Sequence, residues 1–174
     1  MASPAESKTR DLTWEYPKSE GDPFLLRGEQ GEAGRLQFHE EPEASIAEFG
    51  GNRWTIRYTT KLRPHIRIYL ADSQQLVAEY VPVLTGGGVV TFASGARYRW
   101  KKTAIFGDKW CFRTEEQSAS VCIRQEAGAL RQGGKVAICC GAENLPETPV
   151  LLLLAWFLRI LDFEMLVEGI FRVG

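Results

Sequence analysis

Arg97, Arg99 and Lys101 alternate with Tyr98 and Trp100. In an extended strand this alternation sets the three cations on one face, about 7 Å apart. Guanidinium and ammonium groups so spaced suit phosphate oxygens, and arginine adds bidentate geometry. Arg53 and Arg57 repeat the pattern around Trp54 and Ile56, and Lys61, Arg63 and Arg67 follow across Pro64. These basic strand faces are the ligand-like constellation of the chain, and an anionic headgroup is the ligand they suit. The competing reading is a solvated face whose charges pair with Asp and Glu on neighbouring strands. Nucleic acid is not expected as a partner. Tyr98 and Trp100 should point inward, away from the arginines, where bases could not stack on them.

Other chemistries lack their residues. His39 and His65 have no second ligand at zinc spacing. No GxSxG elbow is present. Glu40-Glu41 and Glu115-Glu116 fall at strand ends, where solvated turns explain them. Gly86-Gly87-Gly88 is followed by no GK[ST] and reads as a hairpin or bulge rather than a phosphate cradle. No DxDxDG-type loop offers a calcium site. The expectation is therefore a non-enzymatic protein with no metal and no cofactor.

The 174 residues suffice for one domain with a sizeable core. A net charge of −1 gives no global field toward nucleic acid or membrane. The first residues, Met1 to Lys8, are polar and carry no apolar signal-peptide region. A cytoplasmic location is expected, with peripheral attachment to a membrane as its extension. Cys111, Cys122, Cys139 and Cys140 lack CxxC spacing and read as reduced, buried thiols.

Positioning these residues falls to strands. Period-two alternation, broken by Gly, Pro, Asp, Asn and Ser, predicts strands near 11–16, 24–28, 33–40, 43–49, 53–60, 65–71, 75–83, 88–93, 97–102, 110–114, 120–126 and 135–140. Trp54, Ile56 and Tyr58 share one face, as do Ile66, Ile68 and Leu70, Tyr98 and Trp100, and Val136 and Ile138. About twelve such strands in one antiparallel sheet would curl and close. A barrel that wide cannot be filled by strand side chains alone. A helix over about 149–167 is apolar on every side from Val150 to Leu158, and it is the natural plug. Thr148 should cap it, with Pro149 in its first turn. Arg159, Asp162 and Glu164 weigh against a membrane span, and Arg159 can pair with Asp162 on one helix face. The predicted organisation is a flexible tail, 1–10, and one closed barrel domain, 11–174, with the helix through its centre.

Gly95–Lys101 (GARYRWK), Lys109–Arg113 (KWCFR), Ser120–Arg124 (SVCIR) and the helix Val150–Val167 carry a resemblance. Through them, and through strand order over roughly 11–171, the chain resembles the Tubby C-terminal-like superfamily, which includes Tubby, the phospholipid scramblases and the LURP-one-related proteins. The resemblance implies a twelve-stranded barrel threaded by a hydrophobic C-terminal helix. No phosphoinositide-binding position of that family is carried onto this sequence. The resulting expectation is a module that binds anionic phospholipid headgroups, or a protein partner, at a membrane surface. Its site would be Arg97, Arg99 and Lys101, with Arg53, Arg57 and Arg67. Two alternatives stand beside it: a tail-anchored protein with a cytoplasmic β domain, and a small-ligand-binding barrel. The sequence leaves the oligomeric state open.

Overall fold

A computed structural model describes residues 10–40, 42–60, 62–103, 108–125 and 133–171, with side chains described as far as Phe163. The predicted tail lies outside these residues, except that Arg10 already belongs to the first strand. In chain order the strands are β1 (Arg10–Glu15), β2 (Phe24–Gly28), β3 (Gly31–Gln37), β4 (Ser45–Phe49), β5 (Asn52–Tyr58) and β6 (Ile66–Leu70). Then follow β7 (Leu76–Pro82), β8 (Gly88–Phe92), β9 (Arg97–Lys102), β10 (Asp108–Arg113), β11 (Ala119–Gln125) and β12 (Gly134–Ile138). Each pairs antiparallel with the next, and β12 returns to β1, so the sheet closes into a barrel without an open edge.

Alternation decides what faces the lumen. Leu12, Trp14, Leu26, Leu36, Trp54, Ile56, Ile68, Tyr80, Val90, Trp100, Phe112, Ile123 and Val136 all point inward and are buried. The helix α1 (Thr148–Phe171) occupies the space they enclose. Every side chain from Val150 to Leu158 is buried, which is possible only for a helix surrounded by the sheet. Each large apolar side chain so covered contributes about 1.5–3 kcal/mol. Trp156 stacks on Trp14 at 5.8 Å and meets Phe24 edge-on at 5.7 Å, while Phe157 packs against Tyr58 at 5.8 Å and Phe38 at 5.6 Å. Gly134 makes room for the Trp156 ring: a Cβ there would lie 3.0 Å from it.

Three details differ from expectation. Thr148 does not cap the helix; it is buried, and its hydroxyl donates to the Ala142 carbonyl. The Glu147 carbonyl instead accepts the first helical bond, from Leu151 N–H at 3.0 Å. The helix runs to Phe171 rather than 167, because no breaker intervenes before Gly169, and one glycine costs a helix only about 1 kcal/mol. Leu70 is 36% exposed rather than buried, because β6 shifts register against β7 after Ile68 and Leu70 reaches the rim. Gly86 and Gly87 form the β7–β8 hairpin at φ +94° and +71°, as their spacing implied.

The charges of α1 sit where the helix leaves the core. Arg159, with 10% of its side chain exposed, donates to Gln125 at 2.8 Å, pairs with Asp162 at 2.9 Å and with Asp108, and lies over the Trp110 ring at 5.6 Å. Trp110 Nε1 donates to Asp108 at 2.9 Å. Desolvation at the mouth raises the Asp162 carboxyl; Arg159 pulls it down, and the charge on Asp108 adds to the rise. No helix among the described residues is long and apolar enough to cross a membrane.

Candidate functional site

The barrel places the outward residues of its strands in rows, and register decides which charges meet. Arg57, Arg67, Glu79, Thr91 and Arg97 form one such row across β5 to β9. Arg67 pairs with Glu79 at 3.4 Å, and Glu79 also accepts a hydrogen bond from His65. That bond, more than the nearby Arg67, lowers the Glu79 carboxyl below its ordinary range. Arg53 pairs with Glu48 at 3.4 Å, and Arg57 donates to the Pro42 carbonyl at 3.4 Å. Arg97 meets Glu115 at 3.6 Å. Lys61 lies outside the described residues.

The structure therefore separates the sequence-predicted residues. Arg53, Arg57 and Arg67 share β5 and β6. Arg97, Arg99 and Lys101 stand on β9, with β7 and β8 between. At about 4.8 Å per strand, Arg67 and Arg97 are some 14 Å apart around the wall. The two groups do not form one patch.

Arg99 and Lys101 join a different set. Arg99 is the register partner of Arg113, and Lys101 of Cys111. One row further along, Lys109 opposes Arg124, and Arg124 opposes Lys135. Among the described residues, none of Arg99, Lys101, Lys109, Arg113, Arg124 and Lys135 is within ion-pair distance of a carboxylate. Arg113 donates instead to the Gln117 carbonyl at 2.8 Å, and Asp108 is turned to Arg159. Like charges directly opposed across strands are destabilising. Small side chains at Thr13, Cys122 and Ala137 leave a groove of about 430 Å³ beside Lys109, Arg124 and Lys135, with Asp11 also on its lining. The arrangement can neutralise several negative charges at once, with an uncharged floor between the cations.

Lys109, Arg113, Arg124 and Lys135 went unassigned in the sequence. Each has no other cation within two positions of its own strand, and only register gathers them. Their one sequence signal is parity: each stands two or four positions from another outward-facing residue of its own strand.

The cysteines require a correction. Cys111 and Cys122, expected as reduced thiols, are joined in a disulfide. They are register partners on β10 and β11 with Cα atoms 4.1 Å apart, a proximity that spacing could not reveal. Cys139 and Cys140 are free.

In comparisons with protein-family models, with curated proteins and with solved structures, nothing matches this chain. The functional reading therefore rests on the geometry itself.

Proposed function

We propose that this chain is a non-enzymatic binding module of Tubby-like type that docks on anionic phospholipid headgroups through the outer face of β9 to β12. One observation carries the reading: Lys109 opposes Arg124 and Arg124 opposes Lys135 in register, without carboxylate partners among the described residues. A fold gains nothing from such repulsion, and a bound polyanion relieves it. Each cation near an anionic bilayer contributes about 1 kcal/mol, so the set together gives useful affinity without any inserted segment. Arg99 and Lys101 belong to this site. Arg53 and Arg67, already paired with Glu48 and Glu79, fall outside it. The location that goes with this reading is cytoplasmic and peripheral to a membrane, where burial of Cys111 and Cys122 shields their bond from dissolved thiols.

An acidic protein surface is the second reading, supported by the same cations. The tail-anchor alternative is weaker, because Val150–Leu158 is spent on the barrel core. A small-ligand barrel is weaker for the same reason, since α1 fills the lumen.

Flotation with phosphatidylcholine vesicles, and with the same vesicles carrying phosphatidylserine or phosphoinositide, tests the proposal. Binding to anionic vesicles alone, lost at high salt, is expected. Binding to neither kind, with retention of an acidic peptide column, would transfer the face to a protein partner. Salt-insensitive binding to all vesicles would point to the helix.

A further inference from the structure

Three cysteines share one outward face across three neighbouring strands. Cys111 on β10 and Cys122 on β11 are bonded. Cys139 follows the end of β12, and its N–H donates to the Ser120 carbonyl at 2.8 Å, which extends the ladder by one residue. Since Ala137 opposes Cys122, Cys139 stands one diagonal step from Cys122 on the same side of the sheet. Diagonal neighbours lie about 7–8 Å apart at Cα. A disulfide spans Cα separations up to about 6.8 Å. A shift of about 1 Å closes that gap, and the site allows it: β12 has ended, and Gly141 at φ +86° turns the chain away.

Access points to the same thiol. Cys111 is 1% exposed and Cys122, at the floor of the groove, 6%, so a dissolved thiol meets little of either sulfur. Cys139 is half-buried beside them, and Cys140 is exposed. We propose that Cys111, Cys122 and Cys139 form an internal thiol–disulfide exchange site, in which Cys139 attacks the sulfur of Cys122 and Cys111 leaves. The Cys139 thiol gives its proton to solvent, and its thiolate forms a new S–S bond with Cys122. The old S–S electron pair departs on Cys111 Sγ, which takes up a proton. The step is an isomerisation and needs no outside oxidant or reductant. Its product places the bond beside the half-buried Cys139, where a dissolved thiol can complete the reduction. Burial raises the Cys139 thiol above its usual range; Lys109 and Arg113 pull it down and Glu143 raises it. Exchange should therefore quicken as pH rises, since the thiolate is the nucleophile.

The inference does not depend on lipid binding, and its test reads disulfides alone. In full-length Cys111→Ser protein held in a glutathione redox buffer, non-reducing peptide mapping should find Cys122 linked to Cys139. Cys122 recovered as a glutathione adduct, or linked to Cys140, would overturn the proposal. A second variant keeps the native bond and so the native fold: Cys139→Ser should slow reduction of Cys111–Cys122 by dithiothreitol about tenfold. An unchanged rate would overturn the proposal equally.

Discussion

Arg35 on β3 meets Glu32 at 2.6 Å and Glu48 at 3.9 Å, Arg53 on β5 shares Glu48, and Arg67 on β6 shares Glu79 with His65. On the opposite side, Lys109, Arg124 and Lys135 face one another, and Arg99 faces Arg113. Both regions are outward faces of the same sheet, built from the same residue types at the same period of two. They differ in what register sets beside each cation. In the first, a carboxylate lies within reach of Arg35, Arg53 and Arg67, while Arg57 opposes Arg67 and donates to the Pro42 carbonyl. In the second, another cation lies opposite, with no carboxylate in ion-pair reach among the described residues. A net charge of −1 over 174 residues conceals this asymmetry. Each exposed pair in the first region contributes about 0–1 kcal/mol, so that side owes little of its stability to its charges.

The largest expected effect removes both regions together. Ending the chain after Glu147 deletes the buried Val150–Leu161 stretch and uncovers the inward face of every strand. The truncated protein should show no cooperative thermal transition and should bind a hydrophobic dye; a sharp transition would mean that α1 is dispensable to the core. Next comes the comparison itself. Lys109→Glu, Arg124→Glu and Lys135→Glu together should weaken partition onto anionic vesicles at least a hundredfold, at about 1 kcal/mol per cation removed and more for reversal. Arg35→Glu, Arg53→Glu and Arg67→Glu together should change it no more than about twofold if binding is confined to β9–β12. Equal losses in the two triple variants would erase the distinction between the faces.

A smaller effect runs the other way. Glu48→Gln with Glu79→Gln frees Arg53 and Arg67, while Arg35 keeps Glu32, and should make the paired side resemble the unpaired one. Anionic-vesicle binding should rise about fivefold, at about 1 kcal/mol for a productively placed cation. No gain in a sedimentation assay would show that unpaired cations need the groove beside them.

The smallest effect is a titration. Carbon-detected NMR should place the Glu79 carboxyl below its ordinary 4.5, with His65→Ala returning it upward. The sign follows from a depressed folded value. The contribution of Glu79 to stability is fully present above the unfolded value near 4.5, and it is lost as pH falls through the lower folded value.

Much of the fold could be read from residue order because each strand carries its own evidence. Trp54, Ile56 and Tyr58, or Tyr98 and Trp100, announce an inward face without reference to any partner. Val150–Leu158 announces burial because it has no polar side to give to water. The candidate face was legible only in part. Arg97, Arg99 and Lys101 stood out because they crowd one strand. Lys109, Arg124 and Lys135 are a single cation from each of three strands, and nothing local marks them. Leu70 misled for a related reason, since a register shift between two strands cannot be seen in either one.

The sequence by itself determined the period-two strands, their inward faces and the need for an apolar plug, because side-chain polarity and alternation act within a few residues. Only the tertiary structure decided which outward charges stand together. It joined Cys111 to Cys122, gave Glu48 to Arg35 and Arg53, and left Lys109, Arg124 and Lys135 facing one another. Those outcomes depend on cross-strand register and closure, which bring together residues from Thr13 to Lys135 in space that are far apart in the chain.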